Sequence, residues 1–195
     1  MHNPSTRKVI LQEFVTIDGF AADPKDGLEF SYPFAGDEAI SRDSLAFIKT
    51  IDTILLGDIT YRGFVTFWPT ATNEDTFIAD ALNATPKIVF SQTLKGAPWG
   101  KWESAMVIKN RAEHEVAKLK QQPGKDMVIW GSITLAQSLM KAGLIDEYHL
   151  RVCPVAIGVG RQLFPKDIGL HNMTLLEAKT YKTGLVLLRY QPNQT

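Results

Sequence analysis

The chain has a single cysteine, Cys153, among 195 residues. No intrachain disulfide can form, which fits a reducing compartment. Net charge is also missing, because 21 Lys and Arg balance 21 Asp and Glu. Without a basic cluster, the long-range field that draws proteins to nucleic acid is absent. No apolar run approaches the roughly 20 residues that span a bilayer. The four histidines and the lone cysteine lack metal-ligand spacing, so no metal is expected. Neither GxGxxG nor a P-loop occurs, and no serine sits in a GxSxG setting. These absences point to a cytoplasmic globular protein with neither a nucleic-acid nor a membrane partner.

What is present alternates between apolar runs and helical spacing. Residues 8–15 read as a strand, followed by the turn signal TIDG and a Gly-, Pro- and Asp-rich loop over 20–36. A helix is expected from Asp37, with Ile40, Ser44, Phe47, Ile48 and Ile51 as its buried stripe. Strands are expected at 53–57, 87–91 and 104–109, with short helices after Gly57 and near 76–83. Residues 93–102 read as a loop carrying Trp99 and Trp102. A helix over 112–122 is stopped by Pro123-Gly124. After Gly143 only strands follow. Residues 147–152 alternate, with Glu147, His149 and Arg151 on one face, and a hairpin turns through Lys182-Thr183-Gly184. The pattern predicts an α/β fold with a mixed, mostly parallel sheet, antiparallel C-terminal strands and helices on both faces.

Three segments share one grammar, an apolar strand followed by small or hydroxyl residues. They are ILLG-DITY (54–61), IVFS-QTL (88–94) and VIWGS-ITL (128–135). In open sheets, ligands bind at the carboxyl ends of parallel strands, where helix N-termini offer N–H groups to phosphates. In the third segment a strand becomes a helix over only Gly131 and Ser132. Either close packing demands small residues there, or an anion occupies the space. Ser132 either donates to a phosphate or caps the helix.

With these segments the chain resembles the dihydrofolate reductase-like superfamily. The branch is that of the reductase domain of the bacterial riboflavin-pathway deaminase/reductase. FVTIDGFAA (14–22), LLGDITYRGF (55–64), FSQTL (90–94), IWGSITLAQSLMKAGLIDEYHL (129–150) and PVAIGVGRQLF (154–164) carry the likeness. It implies a three-layer α/β/α domain over 1–195 and a reductase that binds NADPH across the strand ends. By motif, Gly57, Thr60 and Tyr61 run along the cofactor, Ser91 and Thr93 lie near its adenosine ribose, and Gly131, Ser132, Ile133 and Thr134 form its pyrophosphate loop. The family's Gly-Arg-x-Thr-Tyr has Asp58 in place of the Arg. A carboxylate there opposes a 2′-phosphate, so NADH becomes possible. Many relatives are dimers, and the C-terminal strands offer a surface for a homodimer.

On the substrate side, Asp43 lies near where dihydrofolate reductase carries its acid, a position Ser44 fits equally well. A solvated helix carboxylate is the alternative. Asp18 either shapes the TIDG turn or reaches substrate. Phe47 and Trp68 either line a pocket or belong to the core. Two functions remain: a small-molecule reductase, and a non-catalytic nucleotide-binding or oligomeric protein that keeps the fold.

Overall fold

The computed structural model describes residues 7–193. The chain runs β1 Val9–Thr16, β2 Phe20–Ala22, α1 Tyr32–Ala35, α2 Glu38–Ile48, β3 Ile51–Gly57, α3 Asp58–Phe64, α4 Ala79–Ala84 and β4 Lys87–Phe90. It continues with β5 Ala97–Trp99, β6 Trp102–Ile108, α5 Ala112–Lys120, β7 Asp126–Trp130, α6 Ile133–Lys141 and β8 Glu147–Cys153. β9 Arg161–Gln162, β10 Met173–Thr180 and β11 Val186–Pro192 complete it. One sheet has the order β10-β11-β8-β1-β7-β3-β4-β6-β5, and β2 pairs with β9 separately. The strands from β8 through β6 run parallel, β11 and β5 run against them, and β10 pairs antiparallel with β11. The architecture is the α/β fold expected from the alternation.

Strand alternation divides the core between the two faces. Leu11, Leu55, Met127 and Ile129 pack with Val116 of α5 and Leu139 of α6. Ile54, Leu56, Val89 and Val128 pack with Ile48 of α2, Tyr61 of α3 and Leu82 of α4. The Asp37 carboxylate caps α2, accepting from the N–H groups of Ala39 at 2.8 Å and Ile40 at 3.1 Å. The stripe holds for Ile40, Ser44 and Ile48, but Ile51 belongs to β3.

One expectation needs correction, and one polar face is drier than its residues suggest. Residues 93–102 are not merely a loop, because Ala97–Trp99 form an edge strand. Turn residues hid it, but the fully buried Trp99 indole decides the local structure by donating to Asn83 Oδ1 at 2.6 Å. Pro98 is tolerated because the strand is at an edge. The polar face of β8 is also not a water-facing one. Glu147 and His149 are each 5% exposed, because β11 and β1 flank the strand and ion pairs from Lys8 and Arg189 satisfy Glu147.

Candidate functional site

The carboxyl ends of β4, β3 and β7 are joined side by side through hydrogen bonds. Gly57 N–H donates to Ser132 Oγ at 2.8 Å, and Ser132 N–H donates to Thr60 Oγ1 at 2.8 Å. Ser91 and Thr93 hydroxyls both donate to Asp58 Oδ2, and Arg62 pairs with the other carboxylate oxygen. Gly57, Asp58, Thr60, Ser91, Thr93, Gly131 and Ser132 are therefore brought together. The bonds from Ser91 and Arg62 hold the Asp58 carboxyl below the usual carboxylate range. Asp58 braces the loop after β4 and is no helix cap.

The turn from β7 into α6 has a packing explanation. Gly131 and Ser132 both adopt left-handed backbone, at φ 60° and 61°. A Cβ on Gly131 would stand 2.9 Å from Thr60 Cγ2, so glycine is required by φ and by a neighbour together. Ser132 does not cap α6, since its hydroxyl accepts from Gly57 instead. The first-turn N–H groups of α6 consequently lack a side-chain acceptor among the described residues. Beside them stands Arg161, whose Nη2 donates to Thr134 Oγ1 at 2.9 Å and whose Nη1 pairs with Asp26 at 2.9 Å.

Other expected site residues lie elsewhere. Tyr61 is core: its ring packs near Trp99 and its hydroxyl donates to the Pro98 carbonyl at 2.9 Å. Ile133 is core beneath α6, while Thr134 is exposed. Asp18 clamps loops together, accepting from Thr16 Oγ1 and from the N–H groups of Ile157 at 3.1 Å and Gly158 at 2.8 Å. The Thr16 bond, helped by the Gly158 N–H, keeps its carboxyl low. Trp68 packs against Phe64 and Phe67 at the edge of the core.

Asp43 pairs with Lys179 and accepts from the Tyr181 hydroxyl. Burial alone would raise its carboxyl, but the bonds from Lys179 and Tyr181 outweigh it and hold the group low. That is the reverse of the shift a proton donor needs, so this geometry gives Asp43 a structural ion pair. Phe47 lies against Trp130 and His149, with ring centroids 6.5 and 5.2 Å apart. Gln12 accepts from Trp130 Nε1 at 2.9 Å, and Arg151 lies over Phe14 and donates to Ser44 Oγ at 2.7 Å.

Four charged residues that sequence reasoning missed or underrated stand near the strand ends: Glu13, Arg62, Arg151 and Arg161. Glu13 and Arg161 left a signal, a carboxylate inside the apolar run ILQEFV and a base inside the motif GVGRQLF. Arg62 follows Asp58 by one helical turn. An open cleft of about 550 Å³ lies beside α6, lined by residues including Phe20, Gln137, Lys141, Arg161 and Lys166. It meets the α6 N-terminus at Arg161, and its lining lacks the row of hydroxyls found at the strand ends.

Residues 7–187 match the RibD C-terminal domain. The chain belongs to that family. It is 30% identical over 194 residues to the uncharacterized protein YyaP of Bacillus subtilis, covering 98% of each chain. Its fold matches a Shewanella protein assigned to riboflavin biosynthesis, with TM-score 0.78 and 20% identity over 96% of this chain and 99% of that one. It also matches a dihydrofolate reductase of Enterococcus faecalis solved with NADP(H), with TM-score 0.58 and 14% identity over 96% and 97%. The fold of this RibD-type chain is thus dihydrofolate reductase-like. No helix among the described residues is long and apolar enough to cross a membrane.

Proposed function

We propose that this RibD-type chain is a reductase that passes hydride from NADPH or NADH to a small molecule. The uncapped N-terminus of α6, with Arg161 beside it in a row of strand-end hydroxyls, carries the reading. A helix end of this kind favours phosphate through free N–H groups and the helix dipole. Ile133 and Thr134 N–H groups and Arg161 would hold the pyrophosphate, and Ser91 and Thr93 the adenosine end. The fit is supported by an orphaned buried atom, Glu13 Oε1, near the same turn. When bound, the nicotinamide supplies the hydride.

On the substrate side, Phe47 and Trp130 would wall a flat molecule. Arg151 donates only to Ser44 among the described residues, so its remaining donors suit an acceptor-rich ligand. Asp58 and Arg62 stand together at the adenosine end, and their balance sets the preference between NADPH and NADH. The ionised state of Asp43 favours a second reading, nucleotide binding without turnover.

Titration of nicotinamide fluorescence tests binding, and oxidation of the bound cofactor by a panel of carbonyl and imine compounds tests turnover. Saturable binding displaced by ADP-ribose is expected. Absence of binding up to about 1 mM, only about 4 kcal/mol of affinity, overturns the reading. Binding without turnover of any compound favours the second one.

A further inference from the structure

Glu13 sits on β1, in the middle of the sheet, and is 5% exposed. It pairs with no charged side chain among the described residues, and its Oε1 has no hydrogen-bond partner. It occupies the strand face of Leu11 and Val15, which belong to the apolar cluster beneath α6. Burying a carboxyl without a partner is costly, and leucine or methionine would fill such a place better. Burial pushes the group up to about 8, and the Gly131 N–H only partly offsets this. At neutral pH the side chain is then an un-ionised acid, with an O–H donor and a carbonyl acceptor side by side.

Its surroundings give this a direction. β1 and β7 pair in register as far as Gln12 and Trp130. At Gly131 the β7 chain turns away, while β1 continues to Thr16 with only β8 beside it. From Glu13 onward, no strand pairs with the β7 side of β1, the side that faces the start of α6. The sheet order β4-β3-β7-β1 sets Ser91 and Thr93, then Gly57 and Asp58, then Gly131 and Ser132, then Glu13 in one row. A dinucleotide with its adenosine at β4 and its pyrophosphate at β7 has its nicotinamide at β1.

We propose that the Glu13 carboxyl binds the primary carboxamide of a nicotinamide ring at the unpaired edge of β1. The pairing is complementary: the acid O–H meets the amide carbonyl, and an amide N–H meets the acid carbonyl. It rests on the dinucleotide reading above, and Glu13 acts as a binding residue with no proton to deliver.

The test compares NADH, its 3-acetylpyridine analogue, which lacks the amide N–H, and ADP-ribose, which lacks the ring. Dissociation constants are measured for wild type, Glu13→Gln and Glu13→Leu, with thermal midpoints of the cofactor-free proteins. Glu13→Leu should bind NADH about tenfold more weakly and ADP-ribose unchanged. It should no longer distinguish NADH from the analogue, and its cofactor-free midpoint should equal or exceed that of wild type. Glu13→Gln keeps a donor and an acceptor and should bind NADH within about threefold of wild type. Unchanged NADH binding by folded Glu13→Leu overturns the proposal alone. Equal losses for NADH and ADP-ribose also overturn it, since the carboxyl would then act on the turn. Wild type that binds neither compound defeats the dinucleotide reading, and this proposal with it.

Discussion

Replacing Asp58 with Arg reverses the charge beside Ser91 and Thr93. On the dinucleotide reading, this is where an adenosine ribose, with or without a 2′-phosphate, would lie. One unit charge about 5 Å from a phosphate charge is worth roughly 3 kcal/mol at an effective dielectric near 20. The Asp58 side chain is 25% exposed, so salt and solvent leave about a third of that. Asp58→Arg changes the charge by two units, which gives about 2 kcal/mol, or about thirtyfold in the ratio of NADPH to NADH affinity. Arg62, released from its pair, adds in the same direction. The variant loses two hydroxyl donors and an exposed ion pair, so stability should fall by about 1–2 kcal/mol. Fluorescence titrations with both cofactors at low and high salt measure the ratio. A rise that shrinks with salt is expected. Equal changes for the two cofactors would show that Asp58 only braces the loop after β4 and has no say in cofactor choice.

Three further outcomes follow from the geometry. Gly131→Ala should destabilise the protein by about 2 kcal/mol, from left-handed backbone and the clash with Thr60. Thr60→Ser removes the clashing methyl but keeps the hydroxyl bond to Ser132, so the double variant should recover part of that loss in denaturant melts. Additive losses would discount the contact. Glu147 is a buried carboxyl that burial alone would raise, but bonds from His149, Lys8 and Arg189 bring it down from 4.5 to about 2. A folded-state value below the unfolded one stabilises above pH 4.5 and is lost as pH falls from 4.5 toward 2. At 1.36 kcal/mol per pH unit that is up to about 3 kcal/mol. Glu147→Gln should therefore flatten the acid limb of stability against pH, whereas parallel curves for variant and wild type would contradict this. Leu175 and Leu176 on the edge strand β10 are 50% and 44% exposed, so we expect a homodimer. Light scattering near 21.7 kDa at micromolar concentration would reject it.

Much of the fold was legible because apolar strands and amphipathic helices carry their own periods. KVIL, TILLG, KIVF and MVIW all became central strands, and the hairpin turned at Gly184 as its residues required. β5 was not legible, because Pro98 and Gly100 signal a turn and only the long-range burial of Trp99 overrides them. At the site, the strand-end residues could be located from motif and spacing. Their partners could not, because the bonds of Asp58 to Ser91 and of Gly57 to Ser132 span 33 and 75 positions. The partners of Asp43 were hidden for the same reason: Lys179 and Tyr181, which hold its carboxyl low, lie in the distant C-terminal hairpin. Tyr61 shared its motif with strand-end residues, yet its position on α3 turns the ring inward to Trp99.

A crystal structure grown with NADPH tests the central claim most directly. Density should run along the carboxyl ends of β4, β3 and β7, with the pyrophosphate within hydrogen-bonding reach of the Ile133 and Thr134 N–H groups. The nicotinamide should lie at the edge of β1 beside Glu13. Density confined to the cleft of Phe20, Gln137 and Lys141, or strand ends left bare at saturating NADPH, would contradict the account.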